Sequence, residues 1–113
     1  MTITMPRGDI RPVRFVVFDQ DETETEIEFS EIYFTVKRSY ADNNFLFQKK
    51  LSDGTITPVP EGGYQLVIES ADTDPLRIGK YVFDIELVAP GLKQTTVGDL
   101  VLTNEVTFAT NEG

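Results

Sequence analysis

The strongest constraint on the fold is an uninterrupted alternation of side-chain character between Lys80 and Leu87. One set of alternate positions is apolar, namely Tyr81, Phe83, Ile85 and Leu87, and the positions between are Lys80, Val82, Asp84 and Glu86. Because successive side chains of a strand point to opposite faces of a sheet, this period of two predicts a half-buried β-strand. A turn signal at Asp72–Pro75 precedes the segment. The chain is therefore expected to build a sheet around it.

The residues that open this strand carry a second signal. Leu76, Gly79 and Tyr81 have the spacing Leu-x-x-Gly-x-Tyr. This spacing resembles the tyrosine corner of immunoglobulin-like sandwiches, in which a tyrosine near the start of a late strand bonds back to the backbone a few residues upstream. The alternative is an ordinary strand whose first aromatic residue belongs to the core.

Other segments show strand patterns of the same kind. Ile32–Arg38 alternates with Ile32, Phe34 and Val36 expected inward, and Tyr64–Glu69 alternates with Tyr64, Leu66 and Ile68 expected inward. Further strands are predicted at Thr2–Met5, Val13–Phe18, Phe45–Leu51, around Ile56, and at Thr95–Val97, Leu100–Thr103 and Val106–Phe108.

Three local features of these segments carry expectations of their own. Val13–Phe18 is apolar on both faces, which favours a central strand or a second contact surface. Gly98-Asp99 lies inside a strand pattern, so a bulge or bend is expected there. Ser70–Thr73 is expected to form one helical turn with Ser70 as its cap.

Turn signals recur about every 8–12 residues, which is typical of an all-β sandwich or barrel. No apolar helical stripe is present in the sequence. We therefore predict an all-β protein, an immunoglobulin-like antiparallel β-sandwich of about seven or eight strands. The length of 113 residues fits a single domain over residues 1–113, with residues 109–113 as a frayed end.

The composition excludes several kinds of active site. The chain has no Cys, no His and no Trp. Without Cys there is no disulfide and no thiolate metal site, and without His the Ser-His-Asp triad and the common zinc sites are impossible. Catalysis by lysine or carboxylate groups stays open on composition alone, but we expect neither an enzyme nor a cofactor.

The charge balance constrains the partners. Ten basic residues against nineteen acidic ones give a net charge of −9. Nucleic-acid binding requires a cationic surface, and anionic membranes attract basic segments, so neither partner is expected. The sequence contains no apolar run long enough for a membrane span and no signal-peptide pattern at its start. Proteins, or cations, are the expected partners of a chain made in a cytoplasm.

An acidic run extends from Asp19 to Glu31 without a Lys or Arg. Within it, Asp19, Asp21 and Glu22 are candidate calcium ligands, because Ca²⁺ binds several oxygen atoms on a flexible loop. The Asp-x-Asp-x-Asp-Gly pattern of an EF-hand loop is missing. The competing interpretation is a solvated acidic surface that protects an edge from aggregation.

The tripeptide Arg7-Gly8-Asp9 invites comparison with a cell-adhesion motif. Nothing else in the sequence supports that interpretation. Gly in a turn and Asp in a local backbone hydrogen bond account for it, so a turn is expected here.

An ordered set of landmarks runs through nearly the whole chain. They are Arg7-Gly8-Asp9, Phe15–Asp19, Ile32–Lys37, Ile68–Thr73, Leu76-x-x-Gly79-x-Tyr81-x-Phe83-Asp84-Ile85 and Thr96-Val97-x-Asp99-Leu100. In order and spacing they resemble small immunoglobulin-like domains of tailed bacteriophages, which occur in upper-baseplate and tail-fibre-associated proteins. The acidic segment Asp19–Glu31 departs from the short Asp-Gly turn that such domains carry.

The resemblance implies a non-enzymatic module that helps to assemble a phage or prophage virion in the baseplate, tail fibre or head surface. It implies other phage structural proteins and further copies of the chain as partners, and the virion as its location after synthesis in the host cytoplasm. No catalytic residues carry over. Tyr33 and Tyr40 are candidate interface residues, since exposed aromatic side chains often mediate contacts. The alternative function is a ligand- or carbohydrate-binding β-sandwich, with or without a Ca²⁺ site in its acidic loop.

Overall fold

The computed structural model of the chain describes residues 1–16 and 29–104, which contain eight strands and one helical turn. The strands are β1 at Thr2–Pro6, β2 at Arg11–Phe15, β3 at Glu31–Lys37, β4 at Phe47–Lys50, β5 at Ile56–Pro58, β6 at Tyr64–Ile68, β7 at Gly79–Ala89 and β8 at Leu92–Thr103, and the helical turn α1 is Ser70–Thr73.

The strands form two sheets. The larger has the order β1-β8-β7-β3-β4 and the smaller has the order β2-β6-β5. The run β8-β7-β3-β4 corresponds to strands G-F-C-C′ of an immunoglobulin-like sandwich, and β2-β6-β5 corresponds to B-E-D. The predicted immunoglobulin-like all-β fold is therefore confirmed, with eight strands in the described residues. One pair, β1 with β8, is parallel, whereas the other pairs are antiparallel.

The core lies between the sheets and follows the predicted alternation. Tyr81, Phe83, Ile85 and Leu87 of β7 are buried, as are Ile32, Phe34 and Val36 of β3 and Leu66 and Ile68 of β6. The rings of Phe34 and Phe83 pack at 5.1 Å between centroids. Antiparallel register opposes Phe34 to Ile85 and Val36 to Phe83. The inward phase predicted for these buried side chains is confirmed.

Strand β2 lies at the edge of the three-stranded sheet, as far as the described residues extend. It pairs with β6 from Arg11 to Phe15. The expectation of a central strand is therefore not met in this part of the chain. The apolar residue Val16, just after β2, is partly exposed, which leaves the second interpretation, a contact surface, open.

Strand β8 is continuous through Gly98, so the expected bulge is wrong. Gly98 pairs with Phe83 and Asp99 pairs with Val82 in an unbroken register. A Cβ atom at Gly98 would lie 2.6 Å from Cζ of Phe83 and 2.6 Å from the carbonyl oxygen of Met1. Glycine occurs here because a core ring and a neighbouring backbone approach closely.

The turn at Arg7-Gly8-Asp9 joins β1 to β2 and is tied to α1. Gly8 has φ 87°, and its N–H donates to the buried Oγ1 of Thr73 at 2.8 Å. Arg7 donates to the carbonyl of Leu76 at 3.3 Å. These contacts give the tripeptide a structural role in holding the first loop against the helical turn.

The helical turn itself is at the predicted residues but is capped differently. The residue before it is Glu69, and Ser70 is its first helical residue. The N–H of Glu69 donates to Oδ2 of Asp72 at 2.7 Å. Glu69 is therefore the N-cap residue, with Asp72 bonded back to its N–H, and the prediction of Ser70 as the cap is wrong.

Candidate functional site

The hydroxyl of Tyr81 anchors the strand that carries the candidate site. Tyr81 is buried, and its hydroxyl donates to the carbonyl of Arg77 at 2.7 Å. This is the upstream backbone contact that defines a tyrosine corner. Leu76 is buried, and Gly79 begins β7 with φ 142°, a conformation that favours glycine. The corner thus lies at the start of β7.

The solvent side of the larger sheet, called here the outer face, carries polar side chains from three adjacent strands. They are Tyr33, Thr35 and Lys37 of β3, Gln48 of β4, and Asp84 and Glu86 of β7. Register brings them together, because Thr35 pairs with both Gln48 and Asp84 and Tyr33 pairs with Glu86. The Nε2 of Gln48 donates to Oγ1 of Thr35 at 2.9 Å.

These six residues form the floor of an open depression of about 340 Å³. Its wall is the loop between β3 and β4, which contributes Asn43 and Phe45. Phe45 is 53% exposed. The depression therefore combines two aromatic side chains, two amides, two carboxylates and one ammonium group in one place.

The carboxylates give the depression a negative floor. Burial raises the pKa of Asp84, the nearby Glu86 carboxylate raises this pKa further, and Lys37 opposes the shift. The Nζ of Lys37 donates to the backbone carbonyl of Asp42 at 2.9 Å. Lys93 is 3.8 Å from Glu86 but its side chain is 70% exposed, and a pair this exposed contributes little. The carboxylate of Asp84 is therefore incompletely compensated.

Both predicted interface tyrosines lie on this side of the sheet. Tyr33 is half-buried in the depression. Tyr40 is 54% exposed, and its hydroxyl donates to the carbonyl of Gly98 in β8 at 3.1 Å. Since β7 lies between β3 and β8, the Tyr40 side chain reaches across β7. Val97, beside Gly98, is also 53% exposed.

Sequence reasoning missed a buried ion pair behind this face. Nζ of Lys49 lies 2.6 Å from Oδ2 of Asp72, with side chains that are only 9% and 17% exposed. Lys49 is on the inward phase of β4 with Phe47, and its ammonium lies 5.8 Å from that ring centroid. The alternation Phe47-x-Lys49 was the available signal, because it places a lysine on the core side.

The predicted calcium ligands Asp19, Asp21 and Glu22 lie outside the described residues, as do the predicted strand Val106–Phe108, the frayed end and most of the acidic run. Within residues 1–16 and 29–104, no group of three or more acidic residues is arranged to hold a metal ion. In the same part of the chain, no helix has the length and apolar character that crossing a membrane requires.

Comparison of the chain with models of protein families, with curated proteins and with solved structures found no match. Inference about function therefore depends on the fold and on the chemistry of the outer face.

Proposed function

We propose that this protein is a non-enzymatic structural or assembly protein of a tailed-phage or prophage virion, acting through protein–protein contacts of its outer face. The observation that carries the proposal is the concentration of exposed aromatic and apolar side chains there. Tyr40, Phe45 and Val97 are each more than half exposed, and Tyr33 lies in the adjoining depression.

The chemistry of these side chains supports a protein contact. Aromatic residues are enriched at interfaces because they bury a large apolar area with little loss of conformational freedom. An apolar surface left in water is unfavourable by about 25 cal/mol per Å² of area that a partner could cover. The strand backbone beneath Val97 and the hydrogen bond from Tyr40 to Gly98 hold these groups in place before a partner arrives, which lowers the entropic cost of binding.

The edge strand β1 supports a further contact, to another copy or another virion protein. Thr2–Pro6 contains no charged side chain and, among residues 1–16 and 29–104, lies at one end of the larger sheet. Its hydrogen bonds to β8 begin at Met1 and end at Arg7, so in a parallel ladder the backbone groups of Thr2 and Thr4 point away from the sheet. An uncharged edge of this kind accepts an added strand. Self-association in the assembly is part of the same proposal.

The DNA on either side of the gene tests the assignment to a virion. We expect neighbouring genes for tail-tube, baseplate or fibre proteins. Neighbours that encode secreted enzymes or cell-surface proteins would contradict it and favour a binding module. The fold would be unaffected by either result.

A carbohydrate-binding module remains the second candidate, and the depression is the observation that favours it. Tyr33 and Phe45 offer rings for stacking, and Asn43 and Gln48 offer amides for hydroxyl groups. A glycan array with the purified protein tests this candidate. Binding that disappears on substitution of Phe45 by Ala would support it, and absence of binding across the array would remove it.

A further inference from the structure

We infer that the outer-face depression is a docking site for an arginine side chain of a protein partner. The inference rests on the proposed function and makes it more specific, because it names the chemical group of the partner that the outer face binds. It is drawn from the arrangement of carboxylates, aromatic rings and amide groups around one cavity.

The floor of the depression presents two carboxylates in a row. Asp84 and Glu86 are alternate residues of β7, so both side chains point outward and their Cα atoms are about 7 Å apart. Across the register, Asp84 faces Thr35 and Glu86 faces Tyr33. A guanidinium group with five N–H donors in a plane can bond one carboxylate with two donors and turn the remaining donors to the other.

The cations of this chain compensate Asp84 only in part, because the charge of Lys37 opposes the raised pKa of Asp84 without cancelling it. Lys37 directs its Nζ to the carbonyl of Asp42, and Lys93 meets Glu86 from an exposed position at 3.8 Å. Lys50, opposite Tyr33 on β4, acts on the carboxylates of Glu31 and Asp53. A cation brought by a partner would therefore supply the compensation that Asp84 lacks.

The walls favour a flat cation over a spherical one. Tyr33 and Phe45 line the same cavity as the carboxylates, and a guanidinium plane stacks on aromatic rings while it forms its in-plane hydrogen bonds. Gln48 uses its Nε2 to bond Thr35, so its amide oxygen is the group left to accept from a donor in the cavity. A lysine ammonium is a compact, strongly hydrated charge and gains less from such walls.

Two other ligand classes fit less well. A neutral sugar would displace water from the half-buried Asp84 without supplying positive charge, which increases the cost of desolvating its carboxylate. A phosphate or other anion would meet two carboxylates and be repelled. The negative charge of the whole chain, −9, acts in the same direction, since it attracts basic partners at long range.

The test uses the full chain and two short peptides, acetyl-Gly-Arg-Gly-amide and the same peptide with citrulline, the uncharged isostere of arginine. Backbone amide signals are followed by NMR during titration. We expect the arginine peptide to give saturable shifts concentrated at Thr35, Gln48, Asp84 and Glu86. We expect binding about tenfold weaker for the citrulline peptide, because hydrogen bonds to charged groups contribute more than neutral ones.

Two charge-matched variants locate the binding. The double variant Asp84→Asn with Glu86→Gln should lose about tenfold in affinity for the arginine peptide. Asp9→Asn with Asp74→Asn removes two exposed acidic groups elsewhere and should bind as the natural chain does. Both variants remove the same number of charges, so a difference between them is a property of the depression.

Three results would overturn the inference. One is equal binding of the arginine and citrulline peptides, another is equal loss in the two double variants, and the third is shifts scattered over the acidic surface without saturation. None of these results bears on the virion assignment, because a partner can contact Tyr40 and Val97 without an arginine. Conversely, the assignment can fail on the neighbouring genes while the arginine site stands.

Discussion

The hydroxyl of Tyr81 donates a hydrogen bond to the carbonyl of Arg77 at 2.7 Å, joining the first residues of β7 to the segment that follows α1. Arg77 is four residues upstream, beyond Gly79. The bond closes a corner at the start of β7, whose middle carries Asp84 and Glu86 on the outer face. The corner and the candidate site are therefore parts of one strand.

Replacing Tyr81 by Phe removes this hydrogen bond and keeps the buried ring. We expect the free energy of unfolding to fall by about 1 kcal/mol, the usual net contribution of one hydrogen bond. Urea unfolding measures the loss. Tyr33→Phe, which removes a hydroxyl from the half-buried outer face, is the control and should change stability less. Equal losses in the two variants would show that the hydrogen bond from Tyr81 to Arg77 stabilises the fold no more than the Tyr33 hydroxyl does.

Gly98→Ala should destabilise the fold, because the new Cβ would come within 2.6 Å of both the Phe83 ring and the carbonyl of Met1. We expect a loss of about 1–3 kcal/mol from overpacking. Combining it with Phe83→Leu tests the cause. If the ring is the obstacle, the double variant loses less than the sum of the two single losses. If the two single losses are strictly additive, the new Cβ is obstructed by the Met1 carbonyl and not by the ring.

The buried pair Lys49–Asp72 predicts an asymmetric response to substitution. Asp72→Ala leaves the ammonium of Lys49, 9% exposed as a side chain, without its carboxylate and also removes the acceptor for the N–H of Glu69 at the start of α1. We expect a loss of about 3–5 kcal/mol, as for other broken buried pairs. Lys49→Met should cost less, because Asp72 keeps its bond from Glu69 and the methionine fills the space.

Thermal unfolding of these two variants provides the measurement. A larger loss for Lys49→Met than for Asp72→Ala would contradict the interpretation that the unpaired lysine is the costly species. Lys80→Met, which breaks an exposed 3.7 Å contact to Asp99, serves as the control for an exposed ion pair and should have little effect.

Asp84 predicts a stability difference that depends on pH. Its pKa is raised by burial and by Glu86, so the folded chain holds the proton more tightly than the unfolded chain does. The charged carboxylate therefore lowers stability once the pH exceeds the unfolded pKa, about 3.9, and the full penalty is present above the folded pKa. Asp84→Asn should be more stable than the natural chain at pH 7 and equal to it near pH 3.

Asp53→Asn is the control of opposite sign. Hydrogen bonds from the side chain and the backbone of Thr55 lower the pKa of Asp53, so its carboxylate stabilises the fold at neutral pH. This stabilisation is lost as the pH falls through the folded pKa. The measurement is the melting temperature of both variants and of the natural chain across pH 3–7. A neutral-pH melting temperature that is lower in Asp84→Asn would reverse the predicted sign.

The strands, and which of their side chains point inward, were predictable because buried positions alternate with exposed ones and are apolar in the sequence. Lys80–Leu87 and Ile32–Lys37 show this, and the contact of Tyr81 with upstream backbone followed from local spacing. Such features depend on residues that are near in sequence, where a period of two is visible.

The features that were missed depend on residues far apart in the chain. The parallel pairing of β1 with β8 joins Ile3 to Leu100, and no local pattern encodes such a partner. The reason for Gly98 is the ring of Phe83 on the neighbouring strand. The depression likewise exists because a loop brings Phe45 to the same cavity as Asp84 and Glu86. The alternation of β3 was enough to identify Tyr33 as an outward-facing residue. Placing Phe45, Asp84 and Glu86 beside it required the pairing of the strands.

Co-expression with the products of the adjacent genes is the measurement that tests the central claim most directly. We expect one such product to co-purify with the natural chain and with Tyr33→Phe/Tyr40→Phe, which keeps both rings. Tyr33→Ala with Tyr40→Ala should reduce the affinity by about thirtyfold, as when an interface anchor is truncated. Ile10→Ala with Ile78→Ala, which removes exposed apolar residues away from the outer face, should bind normally. Undiminished binding of the folded alanine variant, or co-purification of none of the adjacent products, would contradict an assembly role for the outer face.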